Sequence, residues 1–228
     1  LGDVYKRQIL GKAGIPLVGG TGDGGKVSVN GTVYEDADVY AFVKNNGGKV
    51  AVYKENLYKP MPGYRFIASN TDRSRYYVGE LNGRSSKQAY MDALHISESN
   101  IITQTFHNPL GKMNGQDICI ISLKEVSGNG LCCYRQVNDS DVLVLLEEQD
   151  YNEILDETLQ RIRRDFNHIS GVFSINCVFR YLLFSQEHHM EDYLKTMSTL
   201  GDHAGLIGFG EHYNQQFVNQ TMTCVVFE

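Results

Sequence analysis

Three short segments carry the side chains best suited to recognise a small charged molecule. Asn176-Cys-Val-Phe-Arg180, Gly210-Glu211 and Asn219-Gln-Thr221 supply a guanidinium, a carboxylate, amides, a hydroxyl and a thiol, each beside an apolar run. Polar groups at the ends of buried strands line cavities that are both rigid and hydrogen-bonding. Arg180 can hold a carboxylate through parallel N–H···O bonds, each charge-assisted bond contributing about 1.5–3 kcal/mol. Glu211 can accept from an ammonium, and Asn219 and Gln220 supply neutral donors and acceptors. With Asn176, Cys177 and Thr221 completing the lining, the set suits a zwitterion such as an amino acid. The same residues equally allow an internal Arg180–Glu211 ion pair that ties two strands together.

Other constellations are poorer in chemistry. Gly19-Gly-Thr-Gly-Asp-Gly-Gly25 lacks the order of a phosphate loop and leads into a strand, where no helix N-terminus supplies aligned N–H donors. It reads as a turn. His188-His189 are adjacent, so on a helix their rings diverge by about 100° and do not share one ion. Cys177 with His212 or His168 as base would make a thiol nucleophile, but no glycine elbow or oxyanion-hole sequence accompanies it. No catalytic residue, metal or cofactor is therefore expected, with a cysteine hydrolase kept as an alternative.

These residues need strands and helices to position them. Lys26-Val-Ser-Val29, Asn30-Gly31 and Thr32-Val-Tyr34 read as a tight hairpin, since Asn-Gly supplies positive φ at both turn positions. Further strands are predicted over 38–43, 50–53, 64–68, 74–80, 118–123, 131–135, 142–146, 171–176, 205–209 and 222–227, with a break at Lys59-Pro-Met-Pro-Gly63. Ser85 caps a helix to about Leu94, with Ala89, Met91 and Leu94 as packing positions. Asp150 caps the clearest helix, in which Tyr151, Ile154, Leu155, Ile162 and Phe166 recur at helical spacing. A last helix is predicted over 187–200, with Met190, Leu194 and Met197 on one side. Runs of strands precede the helices, so the expected class is α+β, with mixed and antiparallel sheets layered with a few helices.

Bulk properties narrow the function. The chain has 228 residues, a net charge of −6 and a pI near 5.6, against a nucleic-acid partner, which calls for a basic face. Arg161-Ile-Arg-Arg164, the longest basic stretch, is flanked by acidic residues and reads as a solvated helix face. No apolar run approaches the roughly 20 residues that span a bilayer, so no membrane insertion is expected. Five cysteines in no paired spacing read as reduced thiols, which places the chain in the cytoplasm. Residues 1–8, Leu-Gly-Asp-Val-Tyr-Lys-Arg-Gln, resemble translated adapter sequence at the end of a metagenomic fragment. The expected division is 1–8 as that non-native segment, then 9–58 and 59–228.

The segments named at the outset also carry a resemblance. Phe173-Ser-Ile-Asn-Cys-Val-Phe-Arg180, Gly208-Phe-Gly-Glu211 and Val218-Asn-Gln-Thr-Met-Thr223 follow in the order found in the C-terminal half of the FIST family. Val78-Gly-Glu-Leu-Asn-Gly83, with the helix behind it, and Asn108-Pro-Leu-Gly111 are similar to it as well. The glycine-rich segment from Val18 resembles the end of that family's N-terminal half. The resemblance implies that 9–58 closes a FIST N-terminal domain and that 59–228 is the C-terminal domain. It further implies a sensory input that binds small molecules, amino acids among them, and relays the signal to an output protein or domain. F-box members of the family imply an alternative, a protein-interaction platform.

Overall fold

The computed structural model describes residues 14–115 and 117–228. The adapter-like segment 1–8 lies outside the described residues. In chain order the elements begin with β1 (Val18–Gly20), β2 (Lys26–Val29), β3 (Thr32–Glu35), β4 (Val50–Asn56), β5 (Tyr58–Asp72), β6 (Tyr77–Leu81) and β7 (Arg84–Ser85). Then follow α1 (Ser86–Leu94), α2 (Ile101–Gln104), β8 (Leu110–Asn114), β9 (Asp117–Ile121), β10 (Leu123–Ser127), β11 (Gly130–Cys133) and β12 (Val142–Glu148). The chain ends with α3 (Tyr151–Asp165), β13 (Gly171–Cys177), α4 (Val178–Gln186), α5 (Met190–Met197), β14 (Asp202–Gly208), β15 (Glu211–Tyr213), β16 (Gln216–Val218) and β17 (Thr221–Phe227). The class is α+β, as expected. Contacts divide the chain into two units: residues up to Asn56 together with Asp150–Glu228, and Leu57–Gln149.

The Leu57–Gln149 unit is one sheet in the order β10-β11-β6-β5-β12-β8-β9, with β7 on β6. Its core joins Phe66, Ala68, Val78, Leu81, Leu110, Ile121, Leu143 and Leu145 from the sheet to Ala89, Tyr90 and Ile101 from the helices. Ser85 accepts from Gln88 N at 3.2 Å and so starts α1. The predicted break at residues 59–63 lies inside the single long strand β5. Pro60 stands opposite Leu146 and Arg65 opposite Val144, so one residue of β12 spans four of β5. That bulge, turned at Gly63 (φ 85°), accommodates prolines that cannot donate to a ladder.

The other unit is built on a four-stranded sheet, β14-β13-β17-β4, in which β13 and β14 are parallel and the other pairs antiparallel. A three-stranded sheet, β1-β15-β16, and the β2–β3 hairpin belong to it as well. The hairpin forms where Asn30 (φ 50°) and Gly31 (φ 78°) turn the chain. Residues opposite in register share a face of a sheet. Asn176, Met222 and Glu55 are aligned across β13, β17 and β4, and so are Ile175, Thr223 and Lys54 on the reverse. Helices cover the first face: Asp165, the last residue of α3, accepts from Tyr53 Oη at 2.8 Å, and Tyr193 of α5 bonds Asn176. The three-stranded sheet covers the second, where Gly20 approaches Ile175 and Lys54 Nζ stands 5.7 Å from the Tyr213 ring.

Several sequence expectations change here. Residues 38–43 form no strand: Val39, Tyr40, Phe42 and Val43 are 40–75% exposed and pair with no neighbouring ladder. The predicted 118–123 strand is two, β9 and β10, meeting at Ser122. The helix expected over 187–200 is preceded by α4, whose buried Arg180, Leu183 and Phe184 follow helical spacing with a charged residue standing in for an apolar one. The chain turns at His188 (φ 55°) into α5, which buries Tyr193 and Met197 while Leu194 stays 47% exposed. The solvated face of α3 is as expected, with Arg161, Arg163 and Arg164 all exposed.

Candidate functional site

Arg180 lies in the first turn of α4, immediately after β13, and is fully buried. Nη2 donates to Glu55 Oε1, and Glu55 is itself 1% exposed. The guanidinium lies 4.6 Å from the ring centre of Phe184, one helical turn on, and 5.4 Å from that of Tyr193. Nε and Nη1 of Arg180 and Oε2 of Glu55 have no protein partner. Buried polar atoms without a partner are uncommon, and each costs about 1–3 kcal/mol. The Arg180–Glu211 pairing that the sequence allowed does not form; Glu55 takes that place, because β4 presents it on the face that α4 covers.

The same face carries further polar groups. Asn176 Nδ2 donates to Tyr193 Oη at 2.9 Å, while Asn176 Oδ1 has no partner. Burial raises the Tyr193 phenol above its ordinary range. Ser174 and His203 Nε2 are 2.8 Å apart, and burial lowers the His203 imidazole. His189, at the start of α5, packs 4.8 Å from Phe184 and 5.3 Å from Tyr151, and burial lowers its pKa too.

Cys177, Glu211 and Thr221 meet on the reverse face. Thr221 donates to Glu211 Oε2 from Oγ1 at 2.8 Å and from N at 3.3 Å, and Cys177 shares a hydrogen bond with the same carboxyl. Burial pushes Glu211 up to about 8, outweighing these bonds and the more distant Arg180. Burial, with Glu211 beside it, pushes the Cys177 thiol up to about 12. The sulfur also faces the backbone N–H groups of Phe179 and Gln220. His212 meets Phe217 edge-on at 5.3 Å, and His168 lines a surface concavity of about 360 Å³ with Arg163 and Thr199. Asn219 and Gln220 are buried in the turn before β17, where Gln220 takes φ 53°.

All seven residues singled out from sequence are therefore buried at one end of the four-stranded sheet, Asn176 and Arg180 toward the helices and Cys177, Glu211 and Thr221 toward the small sheet. Sequence reading missed Glu55. Its signal was present: β4 opens on the apolar run Val50-Ala-Val-Tyr53, Glu55 shares a face with the buried Tyr53, and a carboxylate at an inward position needs a cation.

The FIST C domain profile matches residues 87–214, more than half of the chain. The chain belongs to the FIST C domain family. FIST C domains are signal-transduction sensory domains. No curated protein and no solved structure matches the chain. Among the candidate residues Asn176, Cys177, Arg180 and Glu211 fall inside the matched FIST segment, whereas Glu55, Asn219, Gln220 and Thr221 lie outside it. Among the described residues no helix is long and apolar enough to cross a membrane, and no cluster of metal-ligating side chains is found.

Proposed function

We propose that this FIST chain is a cytoplasmic ligand-binding input module, not an enzyme, whose ligand is a small carboxylate-bearing molecule such as an amino acid. The observation that carries the reading is Arg180: completely buried, with Nε and Nη1 left as oriented donors after Glu55 is paired. A guanidinium binds carboxylate oxygens in a fixed geometry, and in a buried site the bond is charge-assisted and little screened. We assign Asn176 to the lining on the same face, and Cys177, Glu211, Asn219, Gln220 and Thr221 to the lining at the same end of the sheet; an output protein or domain is the partner. Free, buried thiols support a reducing compartment.

A thermal-shift screen of the full chain against amino acids and small carboxylates tests this. At about 100 times its dissociation constant a ligand stabilises by roughly 2.7 kcal/mol, a shift of several degrees at this size. Arg180→Lys keeps the charge but not the donor geometry and should remove the shift. A cooperative melt that no compound moves would overturn the proposal. The exposed Val39, Tyr40, Phe42 and Val43 favour a second reading, a protein-interaction platform, which that outcome would promote.

A further inference from the structure

We propose that two copies of this chain associate through the open edge of β14, joining their four-stranded sheets into one eight-stranded sheet about a two-fold axis.

The outer strand of its sheet, β14 pairs only with β13. Their register is unbroken from Asp202 to Gly208, so no bulge turns the edge away from a neighbour. From His203 to Gly208 the strand has no Asp, Glu, Lys, Arg or Pro. Those residues are what keeps an edge from pairing, because its row of N–H and C=O groups is otherwise a template for any strand. Other edges among the described strands are defended or short. Arg161 of α3 bonds Lys54 O on β4, β10 exposes Lys124 and Glu125, β9 opens on the exposed Asp117, and the β2–β3 hairpin carries the Lys26–Glu35 ion pair. β1 and β16 are three residues long.

Side chains on both faces of the β14 edge are apolar and reach solvent. Register with β13 puts Ala204 and Leu206 on the face of Phe173, and Ile207 on the face of Asn176. Phe173, Leu206 and Ile207 are 37–45% exposed.

A second copy fits this edge through symmetry and charge. A two-fold axis through Gly205, normal to the sheet, pairs β14 with its copy antiparallel and leaves neither copy with an open edge there. Ala204 of each copy then stands opposite Leu206 of the other, and His203 opposite Ile207. Asp202, the strand's one acid, falls opposite Gly208. The two Asp202 residues lie about 20 Å apart, well beyond the roughly 8 Å screening length at physiological salt. Two chains that each carry a net charge of −6 thus meet along an uncharged strand.

Light scattering of the full chain over a concentration series tests this, and should approach twice the chain mass of 25.7 kDa. Leu206→Lys sets two lysines on diagonal positions about 7–8 Å apart across the axis and should return the single-chain mass. Leu194→Lys, at an exposed position of α5, should still dimerise. In the wild-type dimer the amides of residues 203–208 should exchange on the order of tenfold more slowly than in dilute monomer. A single-chain mass at every concentration would overturn the proposal and leave the edge to a strand of another protein. A dimer that Leu194→Lys disperses and Leu206→Lys does not would place the contact elsewhere and overturn it too. The exchange measurement needs no substitution, so a dimer whose β14 amides stay unprotected refutes the proposal even where Leu206→Lys fails to fold.

Discussion

Glu55 and Arg180 stand 125 residues apart in the chain and form a completely buried ion pair between β4 and α4. Removing one member of such a pair leaves an uncompensated charge in a buried site. Arg180→Ala and Glu55→Ala are each expected to destabilise by about 3–5 kcal/mol. Replacing both with apolar residues of similar volume should recover most of that loss. Urea unfolding of the two single variants and of Glu55→Leu/Arg180→Met checks this. Additive losses in the double variant would show that the two side chains act independently.

Glu211 makes stability depend on pH in an unusual direction. Its folded pKa, about 8, lies above the ordinary 4.5, so the folded state holds a proton that the unfolded chain has released. Stability from this group is complete below about pH 4.5 and declines as pH rises toward 8, by up to about 1.4 kcal/mol per unit. Glu211→Gln should flatten that decline. Denaturation at pH 5, 6.5 and 8 measures it, and parallel profiles for the two proteins would rule the effect out.

Cys177 should be chemically quiet. It is 2% exposed, and its thiol is pushed up to about 12, so thiolate is scarce at neutral pH. Iodoacetamide at pH 7.5 is expected to modify the half-buried Cys119 first, with Cys177 labelled only on unfolding. Mass spectrometry over time distinguishes them. Rapid labelling of folded Cys177 would restore the thiol-hydrolase alternative.

Gly205 marks a close approach of β14 to β13. A Cβ there would lie 2.5 Å from Ser174 O and 2.6 Å from its Oγ. Gly205→Ala must push the strands apart and disturb the Ser174–His203 bond, which is expected to cost about 1–3 kcal/mol. Thermal unfolding gives the figure. An unchanged melting temperature would mean that this edge strand yields without cost.

Local chemistry was legible in the chain itself. Asn30-Gly31 determines its hairpin because it meets the turn's need for positive φ within two residues. Ser85 and Asp150 start their helices because a cap needs only the next few N–H groups; Asp150 Oδ1 accepts from Asn152 and Glu153 at 2.9 and 3.0 Å. The segments from Val78 to Thr223, taken together in order, pointed to the family that the FIST C domain match shows. Tertiary structure decided the rest. The partner of Arg180 is set by which strand lies across β17 from β13, a choice among distant segments that no local preference encodes. The same register sends Asn176 and Cys177, neighbours in sequence, to opposite faces, since side chains alternate along a strand. The prolines of β5 were read as a break because their tolerance depends on a bulge opposite Val144 and Leu146, and bulges belong to pairs of strands. The return of the chain at Asp150 to the unit it left at Asn56 likewise follows from long-range pairing of β4 with β17.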